Sequence, residues 1–148
     1  MSLPVKDNAK PWATVNVKNG SSYYMLPEPS EYEGLTATVV KTTQSADGVL
    51  SFTVVNEDVA KVSLKWRYLS GQVWSDILTL FDGNGGKNFV RTVKFFNQSK
   101  NDFTEREMYI SDRKAKILRR AVTGSAPSFS YNIGYEDCEL ELIDTRKR

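Results

Sequence analysis

Residues 60–81 read AKVSLKWRYLSGQVWSDILTLF, and two hydrophobic periods meet inside this one stretch. From Ala60 to Leu69, Val62, Leu64, Trp66 and Tyr68 alternate with Lys61, Ser63, Lys65 and Arg67, the period of two expected of a strand with one dry face and one wet face. Past Ser70 the period lengthens: Val73, Trp74, Ile77, Leu78 and Phe81 fall on one helical face, with Ser70 placed to cap the first turn. A helix near residues 70–82 therefore follows the strand directly, and Gly83, Gly85 and Gly86 are residues that commonly end one. The two apolar faces belong together, which predicts Leu64, Trp66, Trp74, Ile77 and Phe81 at the centre of the core.

Working outward, most other segments read as strands. Ala13 to Lys18 alternates, Asn19-Gly20 is a turn dipeptide, and Tyr23 to Leu26 returns, which predicts a hairpin stopped by Pro27 and Pro29. Leu35 to Thr43 and Val49 to Val55 flank the turn Ser45-Ala46-Asp47-Gly48, as a second hairpin or one long two-stranded flap. Phe89 to Phe96 and Phe103 to Ile110 form a third hairpin across the polar residues 97–102. Ser111 to Arg120 fits a short helix or a strand continuation. Gly134 to Asp144 closes the chain as a strand, with Cys138, Leu140 and Leu142 inward and Asp137, Glu139 and Glu141 outward. The expected fold class is α+β, mainly antiparallel β: a β-sandwich or partly closed barrel with one α-helix packed against it. Residues 1–12 read as an irregular arm, 13–145 as a single β-rich domain, and 146–148 as a basic tail.

Composition excludes more chemistry than it suggests. The chain has 148 residues, no histidine and one cysteine, so imidazole bases, His-ligated metals, Ser-His-Asp and Cys-His nucleophiles and internal disulfides are absent. Its formal net charge is +2, which gives no general pull toward nucleic acid or membrane. No apolar run approaches the length of a membrane span and the first ten residues lack a signal-peptide core, so a soluble chain made in the cytoplasm is expected. The stretch Asp82-Gly83-Asn84-Gly85-Gly86-Lys87 has neither the glutamate of a calcium loop nor the Ser or Thr of a phosphate loop. No metal, cofactor or catalytic residue is expected.

What remains points to contacts. Asp137, Glu139 and Glu141 share the outer face of the last strand, where they form a solvated face or an intersubunit charge contact. Arg113, Lys114, Lys116, Arg119 and Arg120 make the densest basic cluster, read as a partner or subunit contact or as a solvated segment ahead of nucleic acid, because no nucleic-acid-binding motif accompanies it. Trp12, Tyr23 and Tyr24, with Tyr32, are a core and interface set, or alternatively a platform for stacking on sugars.

From Lys61 onward the order of features resembles a small tail-associated protein family of phages and prophages of Gram-positive bacteria. The resemblance lies in Val62-Ser63-Leu64-Lys65-Trp66 running into Leu69-Ser70, the helix from Val73 to Phe81, the Phe89 to Phe96 strand, the segment Met108-Tyr109-Ile110-Ser111-Asp112-Arg113, and Cys138 to Ile143. In that family an aromatic-hydrophobic-Gly-Asp-Arg segment ends a hairpin, and Ser111 stands here at the glycine. By analogy the element order is similar to the sandwich-plus-helix fold of tail-tube and distal tail proteins. The resemblance implies a non-enzymatic structural virion protein of a phage tail or baseplate. Its implied partners are copies of itself in a ring or stack and other tail proteins. A head-to-tail joining protein, a capsid decoration protein and a carbohydrate-binding module at the tail tip are the alternatives. On this reading the arm and the basic 113–120 segment touch neighbours, the latter against the acidic strand face of the next subunit.

Overall fold

The computed structural model describes the backbone of residues 3–82 and 89–146, and their side chains except those of 38, 39, 55–58 and 82. Along the chain run β1 (Val15–Asn19), β2 (Ser22–Met25), β3 (Glu31–Gln44), β4 (Leu50–Ser70), α1 (Gly71–Asp82), β5 (Arg91–Asn97), β6 (Asp102–Ser125) and β7 (Ser128–Asp144). The strands hydrogen-bond in the order β2-β1-β5-β6-β7-β4-β3, and every neighbouring pair is antiparallel. The fold is thus mainly antiparallel β with one short helix, and a smaller layer packs on a larger one without closing into a barrel.

The seam between the layers is made by the crossing from β2 to β3. Leu26 N–H donates to the Val15 carbonyl (3.1 Å), Ser30 N–H to the Lys65 carbonyl (2.7 Å), and the Trp66 indole N–H to the Pro27 carbonyl (2.9 Å). At the start of β3 the Tyr32 hydroxyl donates to the Phe96 carbonyl, and Thr36 and Ser99 share a hydroxyl contact of 2.6 Å. Burial raises the Tyr32 phenol to about 12, because ionising it would place charge in a dry seam.

The predicted core is present. Leu64, Trp66, Trp74, Ile77 and Phe81 are all buried in one cluster with Val15, Val17, Val93, Phe95, Met108, Leu140 and Leu142. The Trp66 and Trp74 rings meet edge-on at 6.4 Å between centroids, so strand and helix faces do pack together. Ser70 Oγ accepts from the Val73 N–H at 3.4 Å, as an N-cap does. A Cβ on Gly71 would stand 2.8 Å from the Ile133 carbonyl oxygen, so the helix can start this close to β7 because that residue is glycine. Near the other end, Arg91 Nε donates to the Leu80 carbonyl at 2.8 Å, which satisfies a group the last helical turn leaves open. Gly83, Gly85, Gly86 and the loop to Lys87 lie outside the described residues.

The strand reading needs one correction and several extensions. Tyr68 is half-exposed, while Leu69 is buried in its stead. The alternation switches opposite Asp137, a left-handed residue at φ 50° that lies where β7 carries an extra residue against β6, between Lys114↔Glu139 and Lys116↔Glu136. On the helix, Leu80 is buried, whereas Val73 and Leu78 are only partly so. Residues 111–120 continue as strand, not helix. The last strand begins at Ser128 and not near Gly134. Phe89 precedes β5 and stacks on Tyr109 at 5.4 Å.

Trp66→Ala should lower the unfolding free energy by about 3 to 5 kcal/mol in denaturant titrations, and Tyr68→Ala by about 1 kcal/mol or less. The reverse order would contradict the switch at Asp137. Because Tyr32 ionises later in the folded state than in the unfolded chain, stability should be complete below pH 10 and fall as pH rises toward about 12. Tyr32→Phe should flatten that alkaline slope in urea midpoints measured against pH.

Candidate interaction surfaces

The outer face of the larger layer carries a row of alternating charge. Glu31 stands opposite Lys65, Lys65 opposite Glu139, and Lys114 opposite Glu139 in the strand register. The side chains follow that register: Lys65 lies 3.7 Å from Glu31 and 3.6 Å from Glu139, and Lys114 lies 3.8 Å from Glu139. Lys61–Glu141 at 3.5 Å and Lys116–Asp137 at 3.6 Å flank the row. Apart from Lys61 and Glu141, these residues line, with Ser30, Trp66 and Arg67, a shallow open groove of about 330 Å³.

Part of the charge complementarity expected between subunits is met inside one chain. Lys114 and Lys116 meet Glu139 and Asp137 of their own chain, because β6 and β7 are the two arms of one hairpin. Exposed pairs of this kind contribute about 0 to 1 kcal/mol each and serve mainly to hold register. Glu139 and Glu141 therefore sit on a wet strand face, each beside a lysine. Cys138, between them in sequence, points inward, and its thiol is pushed up to about 11 by burial and then by the Asp137 carboxylate. Among the described residues no three His, Cys, Asp or Glu side chains gather as a metal site would require.

The arm also behaves differently from expectation. Leu3 is buried in the core cluster, Val5 bridges to Tyr24, Met25 N–H donates to the Pro4 carbonyl (2.8 Å) and Lys6 N–H to the Tyr23 carbonyl (2.9 Å). Residues 4–6 therefore pair with β2 of their own chain and cover its edge, which an antiparallel sheet otherwise leaves open to association. Trp12 packs edge-on against Tyr23 at 5.1 Å, with Lys94 Nζ 4.0 Å and Lys6 Nζ 4.7 Å from its ring centre. An ammonium at 4.0 Å lies over the ring face, since an in-plane approach would stop further out at the ring edge. Neighbours within the chain thus satisfy Trp12, where burial against another subunit was expected. Tyr23 donates to Glu105 (2.6 Å); burial, that bond and the carboxylate charge raise its phenol to about 12. Tyr24 packs on the core.

Arg119 and Arg120 lie further out, beyond the body, and among the described residues neither has a carboxylate partner. Arg120 instead lies 5.3 Å from the Tyr131 ring centre. They belong to one of two long two-stranded ribbons, β6–β7 beyond Arg119 and β3–β4 beyond Ala37. On these ribbons Val40, Leu50, Phe52, Val54, Val122, Phe129 and Tyr131 are exposed by 42 to 65%. The sequence carried a signal for the second ribbon, since Phe129, Tyr131 and Ile133 alternate with Ser128, Ser130 and Asn132.

No protein-family profile, curated protein or solved structure matches the chain.

Leu3→Ala should lower the unfolding free energy of the isolated chain by about 2 to 4 kcal/mol. An unchanged denaturation midpoint would show that the arm is not part of the core.

Proposed function

We propose that this chain is a structural component of a phage tail or baseplate, placed in the virion tail and associating with copies of itself and with other tail proteins. The observation that carries the assembly part is the pair of ribbons that project past the body with apolar side chains open to water. A two-stranded ribbon is marginal on its own in water, and apolar side chains gathered on one become stable when another surface covers them. The tail assignment rests on the resemblance in element order from Lys61 to Ile143. A non-enzymatic role is supported by the absence of histidine and by the lysine partners of Asp137, Glu139 and Glu141. Lys94 over the Trp12 ring counts against a sugar-stacking platform there.

Particles released from a lysogen carrying the gene provide the test. Mass spectrometry should find the chain in purified particles in many copies, and reconstruction should place it in the tail. Its absence from purified particles, or turnover of a glycan or phosphoester by the purified protein, would overturn the proposal.

A further inference from the structure

Directly opposed residues of an antiparallel pair share a face, so the strand register sorts each ribbon into two sides. On β6–β7, Arg120/Ile133, Val122/Tyr131 and Gly124/Phe129 share one side, while Ala121/Asn132, Thr123/Ser130 and Ser125/Ser128 share the other. On β3–β4, Val40/Val54, Thr42/Phe52 and Gln44/Leu50 share one side, and Lys41/Thr53 and Thr43/Ser51 the other. Each ribbon is therefore two-faced: one side apolar and aromatic, the other hydroxyl-rich.

Both apolar sides continue the core-facing side of the sheet. Tyr135 packs on the core, and Ile133, Tyr131 and Phe129 follow it at the period of two, because the register shift between Ile117↔Tyr135 and Arg119↔Gly134 adds a residue to β6 and not to β7. Tyr32 also packs on the core; Val40, Thr42 and Gln44 follow at even spacing, because the two shifts in this ladder add residues to β4 and not to β3. Within the body the opposite layer covers this side. Along the ribbons nothing among the described residues does, as Phe52 at 65% and Tyr131 at 60% exposure record.

The ribbons leave the body at opposite ends. β4 and β7 pair antiparallel from Lys61↔Ile143 to Ser70↔Gly134, so the early part of β4 runs past the end of β7 and the early part of β7 runs past the end of β4. One end of the chain thus presents a half-sandwich that lacks its second layer, and the other end presents a second half-sandwich with the same lack.

We propose that the missing layer at each end is supplied by a second copy of this chain, the apolar side of its β6–β7 ribbon seated on the apolar side of a neighbour's β3–β4 ribbon. This rests on the self-assembly reading above and names the surfaces that would carry it. A second copy fits because both ends carry the same need and each holds a strand pair able to meet it, so one contact repeated head to tail covers every open face. Such a heterologous contact closes into a ring or propagates as a stack. Each face offers on the order of 400 Å² of apolar side chain, the size of patch that marks an interaction site. One contact is small beside the roughly 800 Å² per partner of a stable complex, so a single contact is weak and a ring or stack, in which every copy makes two, is held by repetition. Isolated dimers are then weak, and association rises steeply with concentration.

Directional cross-linking tests this. Phe52→Cys and Phe129→Cys are made as separate full-length proteins, with the buried Cys138 left in place as a silent thiol, and treated with a short bis-maleimide in solution and in assembled particles. A mixture of the two should give a linked dimer at least about tenfold above either variant alone, and Phe129→Ser should weaken self-association at least about tenfold while the melting temperature holds. Equal linking by one variant alone would show like-on-like pairing and overturn the head-to-tail contact. Particles or oligomers that form without mixed linking would overturn the ribbon contact and leave the assembly reading standing. A chain that stays monomeric, gives no mixed linking and is missing from particles would sink both.

Discussion

The indole N–H of Trp66 must find an acceptor in a nearly dry place, and it finds the carbonyl of Pro27 at 2.9 Å. A buried donor left unpaired costs about 1 to 3 kcal/mol, so the crossing from β2 to β3 is held against β4. The same side chain meets Trp74 on the helix, and its strand partner on β7 is Cys138. Larger layer, helix and crossing segment are therefore tied at one residue. The Ser30 bond to Lys65 and the Tyr32 bond to Phe96 extend this seam along the start of β3. Pro27 is suited to this place because a segment that leaves one layer for another has no ladder in which its missing N–H would be felt.

Once that seam is set, strand length decides the rest of the shape. β3, β4, β6 and β7 run 14, 21, 24 and 17 residues, well beyond the roughly 5 to 6 of an ordinary strand. The body covers the length over which β4 and β7 overlap, and the surplus has to extend outward as ribbons. Bulges in β4, β6 and β7 lie where the strands pass from body to ribbon or change face. They leave apolar residues on the side where a second layer would add to the core.

The charges follow the same geometry. Lysines and carboxylates alternate across β3, β4, β7 and β6 on the outer face, where each has a neighbour of opposite sign and water beside it. Such a row specifies pairing more than it strengthens it, since a register slip of one would put the charges in the core and the aliphatic residues in water. Arg119 and Arg120 fall beyond this neutralised region, on the ribbon.

Periodicity alone placed the strand from Ala60, the helix after Ser70, the central core residues, the inward and outward sides of residues 138–142, and three of the hairpins. These were legible because a side chain's period reports which side of its own element it occupies, and that is a local property. The exchange of Tyr68 for Leu69 was not, because it depends on the left-handed Asp137 on a different strand. Leu3 was read as part of a free arm since a single apolar residue among polar ones has no period, and only the position of the β2 edge gives it a place in the core. The basic and acidic segments could be seen to complement each other, but whether they meet within one chain or between two depends on β6 and β7 being neighbours. Tertiary structure also decided which strand faces are covered. Alternation marks a face as apolar, and only the packing of the whole chain shows that Val62 and Leu64 meet another layer while Phe52 and Tyr131 do not.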